Sequence, residues 1–493
     1  MPNKYLYGVY GKLGNTVVRN AVQAGTVVVY IGLAPINLIR GYKEMNLINN
    51  PIKLTNMVNA QQISGYSGDW ESFGLCEAMA AHFDNAKGNI GPIYIINVLN
   101  PEIHINPEKT EKKIIFSNGQ AAIVSDRIVL DSLELDGLVE GTDYSVDYNF
   151  AKGTVLINSI GTKLTGAADA TYDEVDIKMV GEDDIIGGMP EDGVYTGIGA
   201  LQLLYTQENV ITDIIAAPGW SDKPKVYDAL CKAAIQINGH WDAYVYADIP
   251  ILDETAVSID TIIKVKEWKN SNGYCSERSK VFWPMAKDAL GNKYHLSTLA
   301  AVETQRTDYS HGAVPMETCG NKSIPVAGQY FGAASANKGF DQTQAKKLTQ
   351  AGISTCVFWG GSWNLWGDHT AAYQYGADID PRCIFDVSMR MLFYVTNSFQ
   401  REWGTVIDEP FTMQLKDRII NREQEKLDAL VAQGALIGNP EVLFLEANNS
   451  TENMMNGNFR WDIPITPVPP LKSATVYVAY TDEGFSAYFE GEE

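Results

Sequence analysis

The sequence contains few cysteines, and it has no excess of positive charge. Six cysteines are spread between Cys76 and Cys383 in a chain of 493 residues, and none of them forms a CxxC pair. Zinc sites and disulfide frameworks use more closely spaced cysteines, so the spacing favours buried free thiols in a reducing compartment. The 60 acidic and 38 basic residues give a net charge of −22. This balance argues against nucleic acid as the main partner, because duplex binding depends on clustered Lys and Arg.

Long apolar segments are also absent. The first residues, MPNKYLYGVYGKLGN, have no apolar core of the kind found in secretion signals, and the most apolar stretch, TVVVYIGLAPINLI, is short and contains Pro35 and Asn37. We therefore expect a protein that is made in the cytoplasm and has no membrane span. The hydrophobic fraction of 45% and the charged fraction of 20% are typical of a folded chain, and the length of 493 residues predicts more than one domain.

The motifs of the common catalytic and nucleotide-binding sites are missing. The sequence has no GxSxG, HExxH or GxxxxGK pattern, and the glycines of GIGALQ do not complete a dinucleotide-binding loop. His311 in SHGAVP lies between Asp308 and Cys319, which would allow a thiol dyad, and Asp368 precedes His369 in LWGDHT. These spacings are common in structural loops and turns. The sequence therefore predicts no catalytic residue, no metal site and no cofactor, and a hydrolase-like or protease-like enzyme is the disfavoured alternative.

One aromatic cluster has two interpretations. The segment VFWGGSWNLWGD carries Phe358, Trp359, Trp363 and Trp366. Such a cluster suits a glycan-binding surface, but aromatic side chains more often pack at a junction between domains. We expect packing, and a glycan-binding surface protein is a second alternative.

Hydrophobic runs in the first part of the chain predict two kinds of structure. TVVVYIG, which starts at Thr26, predicts a buried strand, the segment Ser72 to Phe83 predicts a helix, and PIYIINVL predicts the next strand. From residue 101 to 186, short alternating runs separated by Gly, Asn and Asp predict a small all-β module. This module has 17 acidic and 7 basic residues, so −10 of the net −22 lies in it. We interpret this charge as a solvated outer surface.

The α/β pattern then resumes. ITDIIAAPG, DAYVYADIP and KVFWPM predict strands, and two helices are predicted between them. The first helix lies in SDKPKVYDALCKAAIQING, with Ser221 or Asp222 as its cap and Asn238-Gly239 as its end, and the second runs from Thr255 to Trp268. Strands that alternate with helices are typical of a mostly parallel sheet covered on both faces. The β module therefore interrupts one discontinuous α/β domain.

The C-terminal part predicts a long helix and then extended segments. The helix runs from Lys416 to Gln433 and ends at Gly434, and VLFLEAN and FRWDIPI follow as predicted strands. PITPVPP then leads to an alternating run from Ser473 to Tyr480. Four prolines stiffen this approach, because each fixes φ and lacks an amide donor.

The alternating run is a strand without an obvious partner. Ala474, Val476, Val478 and Tyr480 fall on one face, and Tyr477 falls on the other. Such a strand either folds back on the sheet of its own chain or pairs with another chain. The residues alone leave both arrangements open.

The order of these segments resembles that of contractile-tail sheath proteins, which occur in contractile phages, R-type bacteriocins and related injection machines. The resemblance runs through TVVVYIGLAP, GPIYIINVLNP, GTDYSVDYNFAKGTVLI and the APG at Ala217 to Gly219. It is strongest in LTQAGISTCVFWGG, LWGDHT, QGALIG and NMMNGNFRWDIPITPVPP. Single segments are weak evidence, whereas their ordered conjunction over about four hundred residues is specific.

The resemblance implies an α/β core domain with an inserted small all-β domain, a C-terminal α+β domain and extended arms at both ends. In this sequence the N-terminal arm would be 1–25, the discontinuous α/β middle domain 26–100 and 187–390, and the inserted β domain 101–186. The C-terminal domain would be 391–470, and the C-terminal arm strand 471–493. The C-terminal domain would lie inward and the acidic insert outward.

The resemblance also implies a function and a set of partners. Identical copies would stack as helical rings around an inner tail tube protein, together with baseplate and tail terminator proteins. Contraction would drive the tube through a target cell envelope. The protein would be made in the cytoplasm of a bacterial host and would form the sheath of a virion tail or a phage-tail-like particle. The sequence does not distinguish a phage from a headless bacteriocin.

Three sets of residues are the predicted sites of assembly. The C-terminal arm strand, with Ala474, Val476, Tyr477, Val478 and Tyr480, would pair with another copy by β-augmentation. The N-terminal arm carries Lys4, Lys12 and Arg19 and no acid, whereas the last thirteen residues are acidic, so arms of different copies could attract each other. The candidate tube contact is Lys416, Arg418, Arg422 and Lys426, and a solvated or intersubunit face is the alternative.

Overall fold

The computed structural model describes residues 22–161, 164–189, 193–332 and 339–488. Lys4, Lys12 and Arg19 of the predicted N-terminal arm lie outside the described residues, so their predicted role stays a prediction. Among the described residues, no helix combines the length and the hydrophobicity that a membrane span requires.

The strands alternate with helices along most of the chain. The strands are β1 (Val22–Gly32), β2 (Pro51–Leu54), β3 (Ile90–Asn97), β4 (Thr110–Phe116), β5 (Gln120–Val124), β6 (Glu134–Leu135), β7 (Tyr144–Asn149), β8 (Thr154–Ser159), β9 (Gly166–Tyr172), β10 (Ile214–Ala216), β11 (Tyr244–Asp248), β12 (Ser279–Phe282), β13 (Met285–Lys287), β14 (Lys293–Tyr294), β15 (Gly328–Tyr330), β16 (Ile353–Trp359) and β17 (Ser362–Trp366). The α-helices are α1 (Met57–Ser64), α2 (Gly74–Phe83), α3 (Glu182–Ile186), α4 (Leu204–Glu208), α5 (Pro224–Ala233), α6 (Ile262–Ser271), α7 (Leu296–Ser310), α8 (Gln342–Thr349), α9 (Asp386–Trp403), α10 (Met413–Gln433) and α11 (Thr451–Met455).

The centre of the molecule is an eight-stranded sheet in the order β17-β16-β12-β11-β10-β1-β3-β2. The six inner strands are parallel, and the two edge strands, β2 and β17, are antiparallel to their neighbours. Val28 of β1 is paired with Ile214 on one side and with Ile93 on the other. All three side chains are fully buried, because helices cover both faces of such a sheet. The mixed α/β class predicted from the sequence is confirmed.

The chain leaves this sheet after β3 and returns to it at β10. Between them, β4 to β9 form two three-stranded antiparallel sheets, in the orders β4-β9-β6 and β5-β8-β7. They enclose a separate hydrophobic core, which includes Phe116, Ile123, Val155 and Tyr172. The alternating pattern in this part of the sequence reflects strands with one buried and one solvated face.

The helix boundaries differ from the prediction at several helices: α10 begins at Met413 and not at Lys416, α5 ends at Ala233 and not at Asn238-Gly239, and both α5 and α6 begin later than predicted. Helix α5 begins at Pro224 with Lys223 as its N-cap, and no side chain caps it. Ser221 is unavailable as a cap because its Oγ accepts the backbone N–H of Asp248, 3.1 Å away. Helix α6 begins at Ile262, later than predicted, because the Thr261 side chain caps it by accepting the N–H of Lys264.

The strands predicted in the C-terminal part are wrong. Within 391–470, all of which the structure describes, VLFLEAN and FRWDIPI form no strand and share only the isolated bridge between Leu443 and Asp462. A second bridge joins Leu436 to Pro467. Prolines interrupt the ladder, since they donate no hydrogen bond, and two paired segments without a third are marginal. We call 435–443 together with 462–468 the C-terminal ribbon.

Candidate intersubunit junction

Helix α9 connects the central sheet to the C-terminal helices. Its first half, including Val387, Met389 and Met391, is buried against the core, and Met391 also belongs to a cluster with Leu427 and Leu430 of α10. The helix therefore fixes where the C-terminal part lies relative to the sheet.

Two buried ion pairs hold α9 in place. Lys280 of β12 donates to Asp386, the first residue of α9, at 2.6 Å, and both side chains are at most 2% exposed. Arg390, one turn further along α9, pairs with Asp308 of α7, and both are buried. Burial alone would lower the pKa of Lys280, but the Asp386 carboxylate and its other polar neighbours raise it above the ordinary value. Each charge is thus stable only with its partner in place.

The start of β1 is attached to the same network. The Thr26 hydroxyl donates to Asp308 at 2.8 Å, and the Gln305 side chain donates to the Thr26 carbonyl at 2.9 Å. A Cβ on Gly25 would lie 2.3 Å from the Cβ of Ala313, so this position requires glycine. The N-terminal end of the described chain therefore enters the fold beside the Asp308–Arg390 pair.

A small acidic cavity lies at this entry point. Its volume is about 20 Å³, and its lining includes Thr26, Asp213, Asp242, Asp308 and Arg390. Asp213 accepts the N–H of Val27 at 2.8 Å. Burial raises the pKa of Asp213 to about 6, because the ionised carboxylate is poorly solvated there.

The predicted arm strand is exposed. All ten residues from 471 to 480 are exposed, with Val476, Tyr477, Val478 and Tyr480 each more than four-fifths exposed. Within the described chain, no residue from 469 to 481 takes part in a backbone-to-backbone hydrogen bond. The run therefore forms no strand with its own chain, and its predicted pairing with a second copy stays a prediction.

The root of this segment is held by one ion pair. Lys472 donates to the Asp368 carboxylate, whose side chain is 9% exposed. The Asp368 carbonyl accepts the N–H of Asp386 at 3.0 Å. The start of β1 and the root of the C-terminal segment are thus attached to residues that contact α9. Sequence reasoning missed these groups, and the only local signal was a pair of charges, Asp386 and Arg390, in the otherwise apolar segment DVSMRMLFYV.

The four basic residues proposed for tube contact lie on α10, but each has an acidic partner. Lys416 is 3.2 Å from Asp417, Arg418 is 3.6 Å from Glu409, and Arg422 is 3.0 Å from Glu402. Lys426 is 2.7 Å from Glu423 and also pairs with Glu402. The side chains of Arg418 and Arg422 are more than half exposed, whereas those of Lys416 and Lys426 are largely covered. Only the two arginines are therefore accessible to a partner.

The residues that suggested an enzyme have structural contacts instead. Asp308 pairs with Arg390, the His311 ring is 2.9 Å from the Thr307 carbonyl, and Cys319 is buried 3.6 Å from the Lys280 ammonium. His369 stacks on Tyr373 with ring centroids 3.6 Å apart, and its Nδ1 is 2.9 Å from the Ile384 carbonyl. In the described parts of the chain, no cluster of His, Cys, Asp and Glu is arranged to hold a metal ion.

The aromatic cluster differs from the expectation of packing. Phe358 and Trp359 are 60% and 51% exposed at the tip of the β16–β17 hairpin, whereas Trp363 and Trp366 are only partly exposed. Phe358 contacts Trp363 edge-on at 5.8 Å between ring centroids. The hairpin therefore ends in an exposed apolar tip.

Known proteins are similar to most of this chain. No family model matches it. The tail sheath protein of Burkholderia phage BcepMu is 27% identical over an alignment of 505 positions, which covers 98% of this chain and 98% of that protein. The tail sheath protein of Escherichia phage P2 is 25% identical over 323 residues, which span 64% of this chain and 75% of that protein. The chain is a homologue of phage tail sheath proteins. The resemblance inferred from the sequence is confirmed.

Two solved structures share the fold. A chain of the anti-feeding prophage baseplate superimposes with a TM-score of 0.55 at 12% identity, covering 97% of this chain and 99% of that chain. A chain of the PVC sheath complex, from an extracellular contractile injection system in the contracted state, gives a TM-score of 0.54 at 13% identity, covering 98% and 100%. At these identities the likeness concerns the fold alone.

Replacing Lys280 with Met should destabilise this sheath homologue strongly. The substitution leaves the Asp386 carboxylate buried without its partner, and we expect a loss of about 3–5 kcal/mol in the free energy of unfolding. Lys269→Met is the matched control. Lys269 is also buried, but within the described chain its ammonium donates to the Ala371 carbonyl at 2.7 Å and has no carboxylate partner, and burial lowers its pKa to about 8. Chemical denaturation should show a change of less than about 1 kcal/mol for the control. Equal losses in both variants would contradict this account of the pair.

Asp213→Asn should stabilise the protein above pH 6. The pKa of Asp213 is higher in the folded than in the unfolded chain, so ionisation lowers the stability as pH rises from about 4 to 6, and the loss persists above that. The amide stays neutral and keeps an acceptor for Val27. We expect a gain of about 1–3 kcal/mol at pH 7.5 that shrinks towards pH 4, measured by denaturation at each pH. A gain that does not depend on pH would show that ionisation is not its cause.

Proposed function

We propose that this chain is the structural subunit of a contractile sheath. Its copies polymerise as helical rings around an inner tail tube protein, and contraction of the polymer drives the tube through a target cell envelope. The observation that carries the proposal is the exposed apolar segment 471–480 on a chain that is similar along its whole length to tail sheath proteins. A soluble chain rarely leaves several consecutive apolar side chains exposed unless they mark an interaction site.

The C-terminal ribbon is the proposed acceptor for this segment. Among the described residues, the backbone N–H groups of Ile463 and Ile465, both in the 462–468 segment of the ribbon, donate to no acceptor. A strand added by a second copy would supply acceptors for such groups, which is the chemistry of β-augmentation. It would also protect an edge that otherwise promotes uncontrolled pairing.

One such junction would stabilise the association of two copies by several kcal/mol. If about six interstrand hydrogen bonds form, each contributes ~0.5–1.5 kcal/mol net. Burial of Val476, Val478 and Tyr480 adds ~1.5–3 kcal/mol for each side chain that leaves water completely. Ordering the segment offsets part of this gain. The remainder is sufficient to keep neighbouring copies connected while their bodies move relative to one another.

Contraction is proposed as a change between two packings of the same chain. The chain of the PVC sheath complex that shares this fold is in a contracted state. This likeness supports the proposal that the fold serves contraction. In the proposed mechanism, rigid bodies rotate and pack more tightly while the arms keep the copies connected. Baseplate and tail terminator proteins are the proposed partners at the two ends, and the virion tail or a phage-tail-like particle is the proposed location.

Removing residues 471–493 should abolish polymers without unfolding the chain. The wild-type protein should form hollow striated cylinders in negative-stain micrographs, because the segment joins copies. The truncated chain should remain monomeric, with a thermal midpoint close to that of the wild type, because the segment makes few contacts with its own chain.

Two full-length variants separate the effect of the segment from that of its length. Val476→Asp with Val478→Asp should also prevent cylinders, because a charged strand face cannot be buried without a partner. Val476→Ile with Val478→Ile should preserve them. Absence of cylinders from the wild type, or their presence in the truncated chain, would show the proposal to be wrong.

The tube contact is proposed to use the exposed arginines of α10. Arg418→Gln with Arg422→Gln should reduce the fraction of preassembled inner tubes that become sheathed, as counted by electron microscopy. The thermal midpoint should stay nearly constant, since exposed ion pairs contribute only ~0–1 kcal/mol. Lys232→Gln with Lys264→Gln is the matched control, because both lysines are exposed, lie on other helices and pair with a carboxylate, that of Asp228 or Asp260. Equal sheathing by all the variants would remove α10 as the contact.

A further inference from the structure

The C-terminal segment leaves the body between two fixed points. The N–H of Val468 donates to the Ala435 carbonyl at 3.1 Å, which is the last backbone contact with the C-terminal ribbon. Pro469 and Pro470 follow, and they fix φ and offer no donor to continue that pairing. Lys472 then forms its ion pair with Asp368. Within four residues, the chain has moved from the ribbon to a loop that follows β17.

The Asp368 carboxylate, which accepts from Lys472, has a fixed position. The Asp368 side chain is 9% exposed, and its carbonyl is bound by the N–H of Asp386. The next residue, His369, is held between the rings of Tyr373 and Phe385, with centroid distances of 3.6 and 5.2 Å. Asp386 itself is held by buried Lys280. Lys472, whose side chain is 39% exposed, therefore pairs with a carboxylate that is fixed to the core.

The fixed position of Lys472 matters because one chain carries both partners of the proposed junction, the donated strand and its acceptor. The segment 474–480 and the ribbon that would accept it belong to one polypeptide, and a short linker gives tethered partners an effective concentration in the millimolar range. At micromolar protein concentrations, pairing within one chain would therefore outcompete pairing between copies. Yet residues 469–481 make no backbone hydrogen bond with the described chain. Some feature must direct the segment away from its own ribbon.

We propose that the Lys472–Asp368 ion pair, together with Pro469 and Pro470, is a guide that prevents self-pairing and keeps the C-terminal segment available to a second copy. This inference rests on the proposed function and deepens it. Lys472 is a positioning residue: it acts through the direction of the segment and not through contact with the second copy.

The test uses full-length variants of the two charged residues. Lys472→Met and Asp368→Asn remove the ion pair, Lys472→Arg keeps it, and the double variant Lys472→Met with Asp368→Asn measures their coupling. Two quantities are measured for each protein. The first is the protein concentration at which half of the chains are in cylinders, and the second is hydrogen exchange of the backbone amides of 474–480 in the monomer.

We expect both single variants to need about tenfold more protein for assembly, the factor that corresponds to ~1.4 kcal/mol per junction. Their amides at 474–480 should become protected in the monomer as the segment folds back on its own ribbon. Lys472→Arg should behave like the wild type, and the double variant should be no worse than either single variant. Wild-type assembly of Lys472→Met with unprotected amides would overturn the proposal.

Impaired assembly with unchanged exchange would also overturn it, because Lys472 would then act in the contact between copies. Failure of the wild type to form cylinders would count against the proposed function instead. Exchange in the monomers would still decide whether the ion pair guides the segment.

Discussion

Two buried ion pairs on one turn of α9 determine how this molecule is organised. Asp386 and Arg390 lie four residues apart, and each pairs with a group from the body of the protein, Lys280 of β12 and Asp308 of α7. Buried ion pairs add little net stability, since removing both charges from water offsets their attraction. Their contribution is to fix the position of α9 on the sheet. A shift of α9 by one turn would leave several charges buried without partners, so only one placement of the helix on the sheet is tolerated.

The start of β1 and the root of the C-terminal segment are both attached to this network. Thr26 binds Asp308 at the start of β1, and the Asp368 carbonyl binds Asp386 at the root of the C-terminal segment. If the arms connect copies, a force on either arm enters the fold at the network rather than at a loop. The central sheet and α9 would then move as one body. That behaviour suits a polymer whose subunits rotate while their connections persist.

The sequence pattern predicted the elements of the fold that depend on neighbouring residues. It did not predict features that depend on contacts between residues far apart in the chain. The strands β1, β3 and β11 could be predicted because apolar runs such as VVYI are buried on both faces. The strands in VLFLEAN and FRWDIPI were predicted wrongly, although their composition is suitable, because a ladder needs a partner that the isolated chain does not offer. No local pattern reveals that Lys280 meets Asp386, which lies 106 residues away. The exposed arm was predictable as an unpartnered strand, but its Lys472–Asp368 root was not.

If the exposed segment 474–480 pairs with another copy, the chain has to remain soluble until that pairing forms. The exposed side chains of Val476, Val478 and Tyr480 form the kind of apolar, β-prone segment that aggregates when it is unprotected. Asp482 and Glu483 follow after Thr481, and charges that flank such a segment oppose indiscriminate stacking of identical strands. The net charge of −22 adds repulsion between copies at long range. Association must therefore be driven by short-range fit. In the proposed junction, an acceptor edge of matching register would supply that fit, whereas a parallel encounter between two segments would bring their acidic ends together.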